Sequence, residues 1–390
     1  MTRVLHVITG LGRGGAEQQL LHLLRHMSGL VENEVAVLTN PGPVAVAIRA
    51  LGVPVHEIGM HGNRDLSALP RLVRLMRGGR YDVVHTHLYR ACVFGRVAAR
   101  LAGVRTVFAT EHSLGDGQIE GRATTAAVRT LYRATERLGT TTIAVSPTVA
   151  ERLLDWGVPA ERLVVIPNGL DVADFMFDAE RRARVRRRLG IAPDAFVVGA
   201  VGRLVPTKRF DLLIRAFADL DEGLLLIVGD GPQRDELQSL ARRTGVAART
   251  IFTGETGHVA GVLSAMDVLA APSEQETFGL SVIEGLAAGL PVLYTACPAL
   301  ADLPPGMVPD NAWHVPAELP PWRAALTRCL SQGPRRSPPP DAVWHYDISV
   351  HAKTLAELYE SHHRPADGMR PEPRGAARQP QHERAQNAGL

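Results

Sequence analysis

The 390-residue chain reads as an α/β protein with two doubly wound parallel sheets, one in each half. Two observations carry that reading. Short runs of β-branched and aliphatic residues alternate with amphipathic stretches, so buried strands alternate with helices. The alternation stops at a turn-rich segment near the middle and then starts again, so two similar halves share one chain.

In the first half RVLHVIT, from Arg3, is a buried strand, followed by a glycine turn and the helix AEQQLLHLLRHM. VAVLT, YDVVHTH, TVFATEH and TTIAVS are the next strands, with helices between them, including Phe94–Ala102. VVIPNGLDVADF brings Pro, Asn, Gly and Asp together and reads as a linker. The basic helix ERRARVRRRLG opens the second half, whose strands are FVVGAVGRL, LLLIVGDG, TIFTGE, DVLAAPS and PVLYT. After Pro298 the pattern weakens into proline-rich connection, before a last amphipathic helix over about Ile348–Ser361. The domains are expected at 1–175 and 176–345, then a closing helix at 346–361 and a disordered tail at 362–390.

Composition narrows the function classes. The chain is 45% hydrophobic and 21% charged, an ordinary globular balance, and a net charge of +3 gives no field for nucleic acid. Cys92, Cys297 and Cys329 have neither metal nor disulfide spacing, which fits a reducing compartment. No stretch reaches the roughly 18 apolar residues of a membrane span. A cytoplasmic protein is expected. Only two of the 43 basic residues are lysines, Lys208 and Lys353. A lysine kept in so arginine-biased a chain points to a need for a compact ammonium.

Gly10-Leu-Gly12-Arg-Gly14-Gly15 fits G-x-G-x-x-G between a strand and a helix. A dinucleotide site also wants an acid at the end of the second strand. Here that strand ends Val37-Leu38-Thr39-Asn40, with Glu32 and Glu34 at its other end. The loop better suits close approach of backbone to a ligand or to the opposite domain, or a tight turn alone. The stronger anion site is Gly202-Arg203-Leu204-Val205-Pro206-Thr207-Lys208, between a buried strand and the helix Phe210–Ala218. Two cations on one turn near a helix N-terminus suit a diphosphate. Gly229-Asp230-Gly231-Pro232 reads as a strand-end turn with Asp230 available as a cap.

APSEQETFGLSVIEGLAAGLPV, from Ala271, places Glu276 on a loop and Glu284 in a helix beginning around Gly279. Both can line the crevice at the carboxyl ends of the strands, where open α/β sheets bind ligands. An ionised carboxylate holds a vicinal diol through its two acceptor oxygens. One glutamate can hold a hexose and the other a ribose, with cations beside them for a diphosphate. Those are the requirements of a nucleotide sugar.

Taken together, the E-x7-E of Glu276 and Glu284, GRLVPTKR, LLLIVGDGPQRDEL, IFTGE, the GGAE helix start and IPNGLD resemble the retaining glycosyltransferases of family 4. The resemblance covers roughly Val4–Pro298 and the closing helix. It implies a GT-B fold, with two domains facing a cleft and a C-terminal helix returning to the first domain. It further implies transfer, with retention, from a nucleoside-diphosphate sugar, foremost a UDP-sugar, to an acceptor hydroxyl, with no metal cofactor. Arg203 and Lys208 would then bind the diphosphate, Glu276 the donor-sugar hydroxyls and Glu284 the ribose. Gly279 and Leu280 would present backbone amides, and His112 would face the donor sugar. Gly14 and Gly15 would close over phosphate and acceptor, and Ser146 would lie toward the cleft.

The chain departs from that pattern in two places. Arg209 stands where the family has glycine, and ACPALADLPPG replaces a glycine-rich turn, which leaves the base open. His85 and His87 have metal-ligand spacing without a carboxylate or third ligand, and read as strand-end residues near the acceptor side. The expected acceptor is a lipid-linked glycan of envelope or exopolysaccharide assembly, with a small natural product as the alternative. Arg181, Arg182, Arg184, Arg186, Arg187 and Arg188 offer either a peripheral contact with anionic lipid at the inner membrane face or a solvated helix face. The rival activities are a nucleotide-sugar epimerase, a dehydrogenase and a non-catalytic sugar-binding protein.

Overall fold

The structure is a computed structural model that describes residues 1–62, 65–120 and 122–363. Its first sheet contains β1 (Arg3–Ile8), β2 (Glu32–Val37), β3 (Val55–Glu57), β4 (Val83–His87) and β5 (Thr106–Glu111). A small antiparallel sheet follows, of β6 (Leu114–Gly115), β7 (Gln118–Ile119) and β8 (Arg122–Ala123), before β9 (Thr141–Ala144) and β10 (Leu163–Val165) return to the first sheet. The order is β10-β9-β5-β4-β1-β2-β3, all parallel. The second sheet, of β11 (Val197–Val201), β12 (Leu224–Val228), β13 (Thr250–Phe252), β14 (Val268–Ala271), β15 (Val292–Tyr294) and β16 (Ala312–His314), runs β13-β12-β11-β14-β15-β16, again all parallel. β4 and β5 are buried along their whole length, because helices cover both faces.

Three expectations need correction. The linker reading of VVIPNG overlooked β10, an edge strand. The proline-rich region contains β16 and the fourteen-residue helix Leu319–Gln332. Pro320 and Pro321 sit in that helix's first turn, where a missing N–H costs nothing, and Trp322, Leu326 and Cys329 anchor it to the core. The arginine-rich helix is not a free basic face. Arg182 and Arg186 each reach Asp267 at 2.7 Å, and buried Arg186 also donates to the carbonyls of Ala265, Ala192, Pro193 and Ala195. They therefore rivet the helix Ala179–Leu189 to the second sheet. Arg184, Arg187 and Arg188 remain exposed.

The closing helix spans Ile348–His363 and packs on the first domain through Ala352, Leu355, Ala356 and Tyr359 against Val4, Val83, Phe108 and Ile143. The rest of the expected tail, 364–390, lies outside the described residues. The chain crosses between domains twice, and the crossings run side by side. Leu170 N–H donates to Tyr346 C=O at 2.7 Å, and Ile348 N–H donates to Leu170 C=O at 3.0 Å. Gln19 clamps the first crossing with two hydrogen bonds to the Gly169 backbone, of 2.7 and 3.0 Å. Among the described residues no helix is long and apolar enough to cross a membrane.

Candidate active site

The cleft lies where the carboxyl ends of both sheets face each other. On the second-domain side, the turn after β11 carries Arg203 and Lys208. Gly202 there meets Gly229 of the turn after β12 so closely that a Cβ on Gly229 would lie 1.9 Å from the Gly202 oxygen. Packing of one glycine turn on another, rather than phosphate, dictates that glycine. Asp230 accepts from its neighbour Gly231 N–H at 2.7 Å and pairs with Arg234 at 3.1 Å, so it does not N-cap the following helix.

Lys208 and Glu276 meet directly, with Nζ 2.5 Å from Oε1. The loop that brings them together is fixed by Glu274 N–H donating to Thr207 C=O at 3.1 Å. Arg209 takes the left-handed conformation, φ 50°, that explains why glycine would suit this position. Its side chain is held by Asp211 at 3.2 Å and by an ion pair to Glu274.

Gly279 is the N-cap of the helix Leu280–Ala287, at φ 98°, and a Cβ there would strike Cys297 Sγ at 2.6 Å. Glycine alone satisfies both constraints. One turn along, the Glu284 main-chain carbonyl accepts from Ala288 N–H at 3.0 Å, while its carboxyl group accepts no hydrogen bond among the described residues. Burial pushes its carboxyl up to about 7, opposed by the nearby Lys208 charge. Arg203 is exposed and faces Glu17 of the first helix across the cleft. Gly14 and Gly15 open that helix, Gly15 lying against Leu280 of the opposite domain. The expected phosphate loop and donor helix thus converge.

His112 follows β5 and is tied to the second domain through its main chain. Its carbonyl accepts from Thr277 Oγ1 at 2.7 Å, and Ser146 Oγ donates to Thr277 C=O at 2.7 Å while capping its own helix at Val149 N–H, 3.2 Å. Thr277, inside the E-x7-E segment, was not singled out from sequence. Neither was Glu17, whose carboxyl burial pushes upward. The His112 imidazole pairs with His87, Nε2 to Nδ1 at 3.3 Å, and its Nδ1 is buried beside the Asn168 side chain.

His85 and His87 lie in the last three residues of β4, as the strand-end reading expects, and both are buried, 1% and 2% exposed. A third imidazole accompanies them. His6 on β1 is the cross-strand neighbour of His85, and ring nitrogens of the three come within 4.8 Å of one another. These nitrogens are engaged: His6 Nδ1 with His87 Nε2 at 3.1 Å, and His85 with Tyr359 Oη at 2.5 Å and Thr110 Oγ1 at 2.7 Å.

Residues 13–174 match the model of Glycosyltransferase Family 4 and residues 181–304 that of Glycosyl transferases group 1. The chain belongs to glycosyltransferase family 4. It is 34% identical over 300 residues to the D-inositol 3-phosphate glycosyltransferase of Actinosynnema mirum, covering 68% of each chain. It is 28% identical over 255 residues to an Escherichia coli UDP-Gal:alpha-D-GlcNAc-diphosphoundecaprenol alpha-1,3-galactosyltransferase, covering 63% of this chain and 66% of that one. The crystal structure of Anabaena Alr3699/HepE in complex with UDP-glucose superposes with a TM-score of 0.78 at 23% identity, over 93% of this chain and all of that one. The fold is GT-B, and this glycosyltransferase acts on nucleotide-sugar donors.

Proposed function

We propose that this glycosyltransferase transfers a sugar from a UDP-sugar, with retention, to a hydroxyl of a lipid-linked glycan in envelope or exopolysaccharide assembly. The observation that carries the donor assignment is the Lys208–Glu276 pair beside desolvated Glu284, one turn into the Leu280–Ala287 helix. Arg203 and Lys208 hold the diphosphate, Gly279 and Leu280 turn backbone amides toward it, Glu276 holds sugar hydroxyls and Glu284 the ribose diol. Gly14 and Gly15 close over phosphate and acceptor, and His112 stands at the donor sugar. As the anomeric carbon–oxygen bond breaks, charge grows on the diphosphate, where fixed cations and amides stabilise it. The acceptor oxygen bonds from the same face, and its proton passes to the departing phosphate oxygen. Two side-chain cations supply the charge at the diphosphate, so the reaction proceeds without a metal cofactor.

The lipid-linked acceptor is supported by the likeness to the diphosphoundecaprenol galactosyltransferase, and a small soluble acceptor by the likeness to the inositol-phosphate enzyme. A donor screen by nucleotide release, run with membrane extract, with soluble small acceptors and with chelator, tests these points together. UDP release that depends on membrane extract and survives chelator is expected. Dependence on a soluble acceptor would shift the assignment to small-molecule glycosylation. Donor conversion without any acceptor would make the protein an epimerase, and loss with chelator, restored by Mg²⁺, would overturn metal independence.

A further inference from the structure

Three imidazoles link Asn33, on the first domain's second strand, to the cleft. His6 Nε2 lies 3.0 Å from Asn33 Oδ1, His6 Nδ1 lies 3.1 Å from His87 Nε2, and His87 Nδ1 lies 3.3 Å from His112 Nε2. A chain of this kind has a direction, because a neutral imidazole carries one proton and must donate with one nitrogen and accept with the other.

The Asn33 end sets that direction. Its amide nitrogen donates to the Val31 carbonyl at 3.4 Å, which leaves Oδ1 facing His6 as an acceptor. His6 Nε2 therefore carries the proton and His6 Nδ1 is bare. His87 must then donate through Nε2 and accept at Nδ1, so His112 donates through Nε2. Each ring is held neutral. His6 and His87 are 0% and 2% exposed, and burial pushes His6 down to about 4 and His87 well below the ordinary histidine range. At the far end this direction leaves His112 Nδ1 without a proton. His112 Nδ1 is buried beside the Asn168 side chain, and both residues line a cavity of about 20 Å³ with Gln19 and His351.

We infer that Asn33, His6 and His87 are positioning residues that fix His112 as its Nε2–H tautomer, leaving Nδ1 as an obligate acceptor for any hydroxyl that reaches it. The relay acts through His112 alone. It thus rests on the reading of His112 as the histidine at the donor sugar. A histidine with mobile tautomers would spend part of its time donating from Nδ1, and would meet a sugar or acceptor hydroxyl with the wrong polarity.

The test is ¹⁵N NMR of histidine-labelled protein, with His112→Gln to assign the resonance, run beside transfer assays. In the wild type His112 Nδ1 should show the shift of a bare imidazole nitrogen. His87→Leu removes the acceptor for Nε2–H and should convert the His112 signals to a tautomer mixture, with kcat reduced by about tenfold. In His87→Asn the side-chain oxygen stands near the position of Nδ1, and both the single tautomer and most of the activity should return. A protonated Nδ1 in the wild type, or an unchanged single tautomer in His87→Leu, would overturn the relay. His87→Asn behaving like a folded His87→Leu would do the same. Full activity in His112→Gln would instead overturn the role of His112, while the tautomer spectra still decide the relay.

Discussion

The Lys208 ammonium sits 2.5 Å from the Glu276 carboxylate, and the two side chains are only 23% and 12% exposed. In this state the cation assigned to the diphosphate and the carboxylate assigned to the sugar neutralise each other. In the proposed assignment, donor binding exchanges that ion pair for two new contacts, Lys208 with phosphate and Glu276 with sugar hydroxyls. The half-buried setting keeps both interactions stronger than they would be at an open surface.

Lys208→Ala removes the cation from both arrangements. A single electrostatic donor in a water-poor site contributes about 2–4 kcal/mol to the transition state, roughly 30- to 1,000-fold in rate. Steady-state transfer with saturating acceptor measures it. Turnover near that of the wild type would remove this turn from the mechanism.

Thr277→Val takes away the hydroxyl that holds the His112 carbonyl across the cleft at 2.7 Å. The carbonyl loses a bond worth about 1–2 kcal/mol, and kcat should fall roughly 5- to 30-fold. Affinity for free nucleoside diphosphate should stay unchanged, because this hydroxyl bonds the His112 carbonyl and not Arg203 or Lys208, the proposed diphosphate ligands. Thr277→Ser should recover most of the rate; if it does not, the hydroxyl is not what matters.

Arg209 gives a stability test free of catalysis. Both Arg209→Ala and Arg209→Gly lose the ion pairs to Asp211 and Glu274, so their difference isolates the backbone conformation at φ 50°. The glycine variant should be more stable than the alanine variant by about 1 kcal/mol in denaturant unfolding. Equal stabilities would show that this turn relaxes when the side chain is lost.

The parts of this enzyme legible in the sequence are those in which function and local pattern coincide. Near-continuous apolar strands announce two parallel sheets, and the glutamates, the lysine and Gly279 sit in one motif-bearing stretch or at one strand end. What stayed hidden depends on pairing across distance. Thr277 meets a carbonyl 165 positions away, which no spacing reveals. His6 stands in a strand with no visible relation to VVHTH until β1 and β4 align in register. The strands β10 and β16 have three residues each, too short for any periodicity to register, and prolines in the first turn disguised the helix after β16.

The Glu284 carboxyl, held at about 7 by burial, makes stability depend on pH. An ordinary carboxyl ionises near 4.5, so between these values the unfolded chain has already lost a proton that the folded protein keeps. Stability linked to this group is full below about 4.5 and is lost as pH rises through about 7. Glu284→Gln cancels the effect. Denaturant unfolding should find the variant more stable than the wild type at pH 8 by about 2 kcal/mol, discounted for the open side of the cleft, and little different at pH 4.5. A constant difference across that range would show that Glu284 ionises as it would in water.

The two glutamates should separate on nucleotide binding if, as proposed, they hold different parts of one donor. Glu284→Ala removes charge-assisted hydrogen bonds to the ribose, and affinity for the nucleoside diphosphate should fall by roughly 1.5–3 kcal/mol. Glu276→Ala acts the other way. It abolishes transfer because the sugar loses its carboxylate, yet it also releases Lys208 from the ion pair at 2.5 Å. The freed ammonium no longer has to give up a carboxylate to meet phosphate, so nucleoside-diphosphate affinity should hold or rise. Calorimetry on both variants above pH 7, where Glu284 is ionised, reads the two effects directly. Weaker binding in Glu276→Ala with unchanged binding in Glu284→Ala would mean that the donor lies in the opposite direction along the cleft.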